Sequence, residues 1–469
     1  MSCMEKEMKD KKIYSILILL FLLSFFVRLL PVRIGFHFWD ECVYLQHAEI
    51  ISGFRQNNYD EFHLRPPLLA LMIAIAYKLH HSLFTAHLVV AFISALGTVF
   101  TFILARNLFD EKIALLASLI FLASPLHIQE SHRILVDSLL PTFWAITSLL
   151  FLLSIKTKKL YYSLFSGIFL GLSILLKFTS FALFIPFACV LLLKKQFNPK
   201  HIFIFFIGFI ASTLIYFIYS YQHFNSPFYP ILLNMKVPFW GKKTPWYTYF
   251  VTLHKLLPYS AMVGIPILFF FSFKNKRIDF PTLFLLCFSF IPFSLFHITT
   301  HQEPRYILPT LPFFSILSAK GLFLGFSNNT KMKILSTSLV LLFLPFFLIS
   351  LSQLHPPLSI KLYHNESDVA IMKASLWIKE NSSCPVVYSN FNWPVIAFYS
   401  KKKIVVLPLE GNFQDNVSAI MKEKGCVVIS SSSPRKYPEL KFLYEDKRFE
   451  FVKKFKDREE EVYIFTYSP

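Results

Sequence analysis

Charged residues and glycine are scarce in this chain of 469 residues. Lysine, arginine, aspartate and glutamate make up only 16% of it, whereas hydrophobic residues make up 55% and include 56 phenylalanines. Soluble domains are about 25% charged. With only 12 glycines, the sequence contains no Gly-rich loop of the kind that holds nucleotide phosphates. The composition therefore argues against a soluble nucleotide-binding enzyme and predicts a polytopic α-helical membrane protein.

Acidic residues are scarcer than basic ones, and the imbalance is confined to one part of the chain. The net charge is +19, with 30 Lys/Arg and 14 Asp/Glu in residues 1–354 but 17 and 14 in residues 355–469. The excess of positive charge lies in short segments between apolar runs, as the positive-inside rule of membrane topology expects. A surface that follows nucleic-acid phosphates would not show this segmentation. We therefore expect no nucleic-acid partner.

Cysteine motifs are also missing. The six cysteines are scattered and show no CxxC spacing, so the sequence indicates neither a zinc site nor a disulfide framework. Cys384 and Cys426 both adjoin predicted strands near the C-terminus. Whether these two pair is left open by the sequence.

Eleven apolar runs are long enough, or nearly long enough, to cross a bilayer. The first lacks a small-residue cleavage site, so we interpret it as a retained span rather than a signal peptide. The odd number puts the termini on opposite sides, and the lysines and arginines between runs predict a cytoplasmic N-terminus. The runs are 13–31, 83–105, 113–127, 135–155, 160–176, 178–193, 201–221, 251–272, 280–297, 305–325 and 334–353.

Two outer segments and the C-terminal region complete the predicted organisation. The first outer loop, 36–82, ends in an apolar stretch of about 14 residues that suits a helix lying along the membrane interface, and a second outer loop, 222–250, is rich in aromatic residues. From residue 355 helical and strand patterns alternate, which predicts a small α/β domain. We therefore expect a transmembrane domain over 1–354 and an extracytoplasmic domain over 355–469.

The acidic residues of the predicted transmembrane domain are not at the centre of any span. Six of the 14 lie in cytoplasmic segments, and eight lie in outer loops or near outer helix ends. A proton- or ion-coupled transporter typically holds a carboxylate near the midplane. The distribution instead favours chemistry at the outer interface, on a substrate whose tail stays in lipid. The outer acids are Asp40, Glu41, Glu49, Asp60, Glu61, Glu130, Asp137 and Glu303.

Basic residues accompany these acids on the outer side, against the usual charge bias. Arg65 precedes a Pro-Pro pair, Lys177 lies between two apolar runs, and Arg305 opens a span. Arginine binds phosphate in a bidentate way, and lysine acts as a compact charge. A polyprenyl-phosphate sugar needs cations to hold the departing phosphate and a carboxylate to deprotonate the acceptor hydroxyl. The pattern favours such a substrate.

Each of these residues also has a simpler interpretation. Asp137 could be a helix N-terminal acid, Lys177 a snorkelling anchor and Arg305 an interfacial anchor. The Asp40–Glu41 pair could belong to a solvated loop. The argument for a site rests on their joint confinement to one side.

The motifs in which these residues occur resemble those of the GT-C superfamily of glycosyltransferases, in particular its protein O-mannosyltransferase and aminoarabinose-transferase-like branch. The resemblance covers residues 1–350 and, loosely, the C-terminal domain. The motifs are "DECVY" from Asp40, "RPPL" from Arg65, "SHRILVDS" ending at Ser138, "LLKF" around Lys177 and "RYILPTLP" from Arg305.

The resemblance implies transfer of a sugar from a polyprenyl-phosphate donor, on the outer face, with inversion at the anomeric carbon. It matches Asp40 to the first-loop acid that acts as general base and Asp137 to the second-loop acid. We expect Glu41 and Asp137 to orient the acceptor or shape the local field, and Asp137 is the rival candidate for the general base. The residues matched to donor-phosphate binding are Arg65, Lys177, Arg305 and Tyr306.

Two details of the motifs bear on the metal and the sugar. In the aminoarabinose branch an acid tied to metal binding precedes the basic-Pro-Pro motif, but here that position is Leu64, so a divalent metal ion is not established as a cofactor. His301 and Glu303 remain candidates for a substrate or metal contact, or for an ordinary loop hydrogen bond. The segment "HQEPRYILP" is similar to a motif of lipid-linked-oligosaccharide mannosyltransferases, which favours mannose.

The sequence therefore predicts a membrane glycosyltransferase that moves a hexose, mannose, from a polyprenyl- or dolichyl-phosphate donor to a protein, lipid or glycan acceptor, with membrane lipid as its surroundings. A lipid or polysaccharide flippase is the alternative, although such a transporter should show internal repeats and a polar transmembrane path. A non-catalytic receptor with an outer sensing domain is a third possibility.

Overall fold

The computed structural model describes residues 3–29, 39–56, 64–194, 198–236, 244–274, 278–300, 302–328, 369–407, 414–431, 438–457 and 460–468. These form two compact units. The membrane unit contains the described residues of Met1–Arg33, Pro66–Leu69 and Phe84–His355. The sheet unit contains those of Ile34–Arg65, Ala70–Leu83 and Pro356–Pro469.

Sixteen α-helices precede residue 329 in the described part of the chain. Two 3-10 turns, Val136–Ser138 and Pro304–Thr310, lead into α7 and α16, and a third, Phe178–Leu183, leads into α9. The helices are α1 (Cys3–Leu29), α2 (Trp39–Ser52), α3 (Leu68–Leu79), α4 (Leu83–Leu108), α5 (Glu111–Leu122), α6 (Pro125–Ser131), α7 (Leu140–Thr157), α8 (Leu160–Leu176), α9 (Phe184–Lys194), α10 (Pro199–Phe224), α11 (Tyr229–Lys236), α12 (Thr248–Leu256), α13 (Tyr259–Met262), α14 (Gly264–Lys274), α15 (Phe280–His297) and α16 (Leu311–Asn328).

The chain is a multi-pass membrane protein. Six described helical segments are long and apolar enough to cross a bilayer, and α5 with α6 would make a seventh if the pair forms one broken span. The predicted total of eleven spans stays a prediction, and the run 334–353 lies outside the described residues. The six segments are Lys11–Leu29, Leu83–Leu108, Val136–Thr157, Pro199–Phe224, Phe280–His297 and Pro304–Gly325.

Two runs predicted as continuous spans are broken in the structure. The run 113–127 bends by 55° between α5 and α6, where Ser124 caps the new helix and Pro125 occupies its first turn. The run 251–272 is divided into α12, α13 and α14, and Pro258 lies at the first break. Proline lacks the backbone N–H that a continuing helix needs and disfavours helical conformation in the preceding residue. Apolar length alone therefore does not reveal these breaks.

Acids in the segments predicted to be cytoplasmic cap helices. The Asp110 carboxylate accepts hydrogen bonds from the backbone N–H groups of Lys112 and Ile113 at 2.9 and 3.0 Å, at the start of α5. The Asp279 carboxylate accepts one from the backbone N–H of Thr282 at 3.0 Å, at the start of α15. Such caps stabilise a helix by about 1 kcal/mol. These two acids therefore have a structural explanation.

Helices α8 and α10 approach each other closely because glycines lie at their contact. A Cβ added at Gly167 would lie 1.9 Å from the Phe205 carbonyl oxygen, and one added at Gly208 would lie 2.1 Å from that of Leu164. Small residues allow this approach between membrane helices, where packing rather than water exclusion drives association. The two glycines therefore fix the position of α8.

The sheet unit contains a five-stranded sheet in the order β2-β1-β3-β5-β4. Strand β1 pairs in parallel with β2 and β3, and β5 pairs antiparallel with β3 and β4. The predicted small α/β domain is thus confirmed. Its elements are α17 (Ala370–Asn381), β1 (Val386–Ser389), α18 (Trp393–Ser400), β2 (Lys403–Val406), α19 (Gln414–Glu423), β3 (Cys426–Ser430), α20 (Pro438–Glu445), β4 (Phe449–Lys456) and β5 (Glu461–Tyr467).

Strand β4 and helix α20 were not anticipated from the sequence. Strand β4 reads FEFVKKFK and lies at the edge of the sheet, where most of its side chains are exposed or half-buried. Lysines on an edge strand deter pairing with other chains, and they also hide the apolar alternation that identifies a strand. The central strands β1 and β3 are buried along their whole length and were easier to recognise.

Cys384 and Cys426 form a disulfide, with their Cα atoms 5.7 Å apart. The bond joins Cys384, which lies just before β1, to Cys426, the first residue of the neighbouring strand β3. The pairing that the sequence left open is therefore present in the structure.

Helix α2, from the first predicted outer loop, packs within the sheet unit. Gln46 Nε2 donates a hydrogen bond to the Pro394 carbonyl oxygen at 2.9 Å, and the rings of Trp39 and Trp393 meet edge-to-face at 4.4 Å. Nine consecutive residues of α2, 41–49, are buried. Sequence analysis did not anticipate this association between segments about 350 residues apart in the chain.

Candidate active site

Asp137 lies in the 3-10 turn before α7, and a buried hydrogen-bond chain holds that turn in place. Arg28 Nη2 on α1 lies 2.7 Å from His127 Nδ1, and His127 Nε2 lies 2.8 Å from the Ser138 carbonyl oxygen. Because a guanidinium can only donate, Nδ1 accepts and Nε2 carries the proton donated to Ser138. The backbone beside Asp137 is therefore fixed by α1 and α6.

Lys177 and Arg305 converge on the Asp137 carboxylate. Lys177 Nζ donates to Asp137 Oδ1 at 2.6 Å, and Arg305 Nη1 lies 3.9 Å from Asp137 Oδ2. The Asp137 side chain is only 3% exposed, whereas that of Lys177 is 22% exposed. A buried carboxylate requires such partners. The arrangement places two cations around one carboxylate and leaves the Lys177 ammonium partly exposed.

Tyr306 and Glu303 complete this cluster. Lys177 Nζ lies 4.3 Å from the centre of the Tyr306 ring, within the range of a cation–π contact. Glu303 Oε2 accepts a hydrogen bond from Arg305 Nε at 2.5 Å, and Tyr306 Oη lies 3.4 Å from Glu303 Oε1. Glu303 thus orients the arginine and the tyrosine. We name Asp137, Lys177, Glu303, Arg305 and Tyr306 the phosphate cluster, after the ligand the sequence predicts for it.

A second ion pair lies in the same motif. Arg133 Nη1 is 3.6 Å from Glu130 Oε2, and both side chains are largely buried. Glu130 is one of the predicted outer acids, and the sequence indicates no role for it. The sequence does place Glu130 and Arg133 three residues apart, a spacing at which two side chains on a helix can form an ion pair.

In the sheet unit, Asp40 and Arg65 form an ion pair. Arg65 Nη2 lies 3.4 Å from Asp40 Oδ1, and the side chains are 30% and 20% exposed. Asp40 and Glu41 both lie in the first turn of α2, where the helix dipole favours negative charge. Glu41 is buried, while Asp40 remains partly accessible. Of the two adjacent acids, Asp40 is thus the more accessible.

Glu49 is the centre of a further charged cluster in the sheet unit that sequence analysis missed. Lys401 Nζ lies 3.0 Å from both Glu49 oxygens, Arg55 Nη1 lies 3.4 Å from Oε2, and His81 Nε2 lies 3.7 Å from Oε1. Burial lowers the pKa of Lys401 from its ordinary value, and the Glu49 carboxylate opposes that shift. The separation of 352 residues between Glu49 and Lys401 left no local signal.

Metal ligands are not assembled in the part of the chain that the structure describes. No group of three or more His, Cys, Asp or Glu side chains there is placed to hold an ion. Glu303, one of the two candidate ligands, is bonded to Arg305 and Tyr306 instead. His301, the other, lies outside the described residues. A divalent metal is not established as a cofactor, and no step below uses one.

Comparison by sequence finds a family profile that matches part of the chain. A profile described as dolichyl-phosphate-mannose-protein mannosyltransferase matches residues 64–220, about a third of the chain. The matched segment contains Arg65, Asp137 and Lys177. No curated protein sequence matches the chain significantly.

Comparison by structure covers nearly the whole chain. The crystal structure of ArnT from Cupriavidus metallidurans bound to undecaprenyl phosphate matches with a TM-score of 0.70 at 14% identity, covering 96% of this chain and 97% of that one. The oligosaccharyltransferase of Archaeoglobus fulgidus in its apo form matches with a TM-score of 0.58 at 16% identity, covering 89% and 69%. The predicted resemblance to the GT-C superfamily is therefore confirmed at the level of the fold.

Proposed function

We propose that this protein is a glycosyltransferase that moves a hexose, mannose, from a polyprenyl-phosphate donor to an acceptor hydroxyl at the outer face of a membrane. The phosphate cluster is the observation that carries the proposal. It combines a lysine and an arginine with a carboxylate that holds them in position, beside a tyrosine hydroxyl. Cations pre-organised in this way stabilise negative charge as it develops on a leaving phosphate.

In the proposed reaction the acceptor oxygen attacks the anomeric carbon while the bond from that carbon to the phosphate oxygen breaks. Lys177 and Arg305 bind the phosphate, which leaves with its lipid, and Arg65 and Tyr306 contribute to the same ligand. Asp40 takes the proton of the acceptor hydroxyl, and Glu41 and Asp137 orient the reacting groups. Asp137 suits a positioning role because Lys177 donates to one of its oxygens and Arg305 faces the other.

The choice of donor rests on two similarities. The family profile names a dolichyl-phosphate-mannose-dependent transferase, and the matched ArnT structure carries undecaprenyl phosphate. Both ligands are polyprenyl phosphates, so the lipid class is supported by both. Mannose is supported by the first, and by the segment "HQEPRYILP".

The orientation of the chain is part of the proposal. A cytoplasmic N-terminus and an extracytoplasmic sheet unit follow from the lysines and arginines between the apolar runs. The Cys384–Cys426 disulfide supports this orientation because disulfides persist in oxidising compartments outside the cytoplasm.

The proposal is tested by incubating purified protein, with membranes from a deletion strain as the source of acceptor, with radiolabelled polyprenyl-phosphate mannose. Label should move to an acceptor, with release of unlabelled polyprenyl phosphate. Polyprenyl-phosphate glucose and polyprenyl-phosphate aminoarabinose are added as competing donors. The donor that supports transfer best identifies the sugar. Movement of intact donor across proteoliposome membranes without transfer would instead support the flippase.

A further inference from the structure

A cavity of about 580 Å³ lies in the membrane unit among α7, α8, α9 and α10. This volume falls within the range of about 300–1,000 Å³ that is typical of small-molecule sites. Apolar side chains form most of its wall. Among them are Phe151, Ile155, Phe184, Phe187, Leu191 and Phe205.

The polar side chains of the cavity wall, which include Ser154 on α7, lie towards the end of the cavity where α7 and α9 end and α8 and α10 begin. Lys158 follows the last residue of α7, Ser163 lies in the first turn of α8, and Asn198 and His201 lie at the start of α10. Ser163 Oγ and His201 Nδ1 are 2.7 Å apart, so a hydrogen bond joins α8 to α10 there. The cavity is therefore amphipathic, with a polar end beside the α7–α8 and α9–α10 turns.

That polar end has positive charge from Lys158, the lysine that lines the cavity. The neighbouring segments 156–159 and 194–200 contain no acid, and of their other described lysines Lys156 donates to the Asn107 carbonyl oxygen, while Lys159 and Lys194 lie over the rings of Tyr161 and Phe280. Asn198 caps α10 by accepting a hydrogen bond from the Lys200 backbone N–H at 3.0 Å, and the N-terminus of this 26-residue helix adds a partial positive charge. An anionic group would be stabilised at this end.

Apolar residues of the cavity wall are exposed, as are the polar wall residues Lys158 and Asn198. Two residues of its wall, Leu192 and Phe206, have exposed fractions of 66% and 42%. Phe206 belongs to Pro199–Phe224, a segment long and apolar enough to span the membrane. Exposed apolar side chains on such a helix contact hydrocarbon chains, so a ligand enters from the bilayer.

We propose that this cavity binds an anionic phospholipid of the adjacent leaflet. One acyl chain lies between the phenylalanines of α7, α9 and α10, and the phosphate lies beside Lys158, His201 and the start of α10. The site is separate from the phosphate cluster, because Ser163 and Lys177 are at opposite ends of α8, about 21 Å apart along the helix axis. The proposal is therefore independent of the proposed glycosyl transfer.

The test uses the full-length protein in phosphatidylcholine nanodiscs that contain a trace of phosphatidylglycerol with a diazirine on one acyl chain. After photolysis, mass spectrometry should locate the adduct on α9 and α10, and unlabelled phosphatidylglycerol should compete at least fivefold better than phosphatidylcholine. Lys158→Gln should raise the concentration of phosphatidylglycerol needed to compete about fivefold, which is the contribution of one interfacial cation to lipid binding. Lys274→Gln, an exposed lysine at the end of α14 that does not line the cavity, should leave it unchanged.

A second variant and a competitor keep the test decisive. Ala188 lines the cavity and is itself exposed, so Ala188→Trp should block labelling while the protein stays monodisperse on size exclusion. Equal competition by phosphatidylcholine and phosphatidylglycerol would overturn the proposal. So would labelling that persists in Ala188→Trp, or displacement of the probe by polyprenyl phosphate at lower concentration than by phosphatidylglycerol.

Discussion

The ammonium of Lys177 lies 2.6 Å from the carboxylate of Asp137, although 40 residues separate them. The relationship follows from the helical hairpin between them. Helices α7 and α8 have 18 and 17 residues and are joined by a short turn, so the segment before α7 and the segment after α8 end at the same level. Matched helix lengths thus place a cation beside an acid at one membrane face.

Loss of the Lys177 charge should weaken donor binding. We expect Lys177→Met to raise the KM for a polyprenyl-phosphate sugar about 10- to 100-fold, the usual value of a hydrogen bond to a charged group. Lys177→Arg should retain part of the affinity. Lys159→Met, at the opposite end of α8, is the matched control. An unchanged KM in Lys177→Met would remove Lys177 from the donor site.

Asp137 and Lys177 should act as one unit. In Asp137→Asn the carboxylate that positions Lys177 is lost, so donor KM should rise. Adding Lys177→Met to this variant should then lower kcat/KM much less than the same substitution does in the wild type. A double-mutant cycle on kcat/KM measures this coupling. Additive effects would show that Asp137 acts independently, as a rival general base would.

Asp40→Asn should abolish most of the activity without affecting donor binding. The amide keeps the shape of the side chain but cannot accept the acceptor proton, so we expect kcat to fall about 100-fold or more. Asp110→Asn is the control, because asparagine caps a helix as well as aspartate does. Donor binding, measured separately, should match the wild type. Near-normal turnover would exclude Asp40 as the base and leave Asp137.

The disulfide gives a test of topology. In intact cells Cys384 and Cys426 should resist a thiol-reactive polymer until a reductant is added, because both are oxidised in an extracytoplasmic domain. Cys384→Ser should destabilise the sheet unit by about 2–5 kcal/mol, measured by limited proteolysis. No labelling even after a membrane-impermeant reductant is added, together with an active cytoplasmic reporter fused after residue 400, would reverse the proposed orientation.

The Glu49 cluster should stabilise the sheet unit in a pH-dependent way. Glu49→Gln removes the carboxylate that opposes the lowered pKa of Lys401, so that pKa should fall further. A lysine whose pKa is lower in the folded than in the unfolded state destabilises the fold while charged and less so as it loses its proton. The variant should therefore unfold more readily than the wild type at pH 7, with a smaller difference near pH 10. A pH-independent difference would contradict this.

Sequence reasoning found most of the phosphate cluster because its members depart from a simple rule. Lys177 and Arg305 are cations on the side that the predicted topology makes extracytoplasmic, where positive charge is disfavoured, and Asp137 is an acid in a domain with few acids. It did not find Glu130 beside Arg133, or the cluster around Glu49. Those groups depend on burial and on contacts that no local pattern records.

The sequence by itself determined that the protein is a helical membrane protein with a small α/β domain, because the apolar runs and the alternation of strands are local properties of the chain. Only the tertiary structure decided that α2 packs against α18, that Lys401 pairs with Glu49, and that Cys384 pairs with Cys426. These contacts join segments 42 to 352 residues apart. Which residues pair in these contacts depends on the shape and charge of the folded chain. Composition and periodicity do not contain that information.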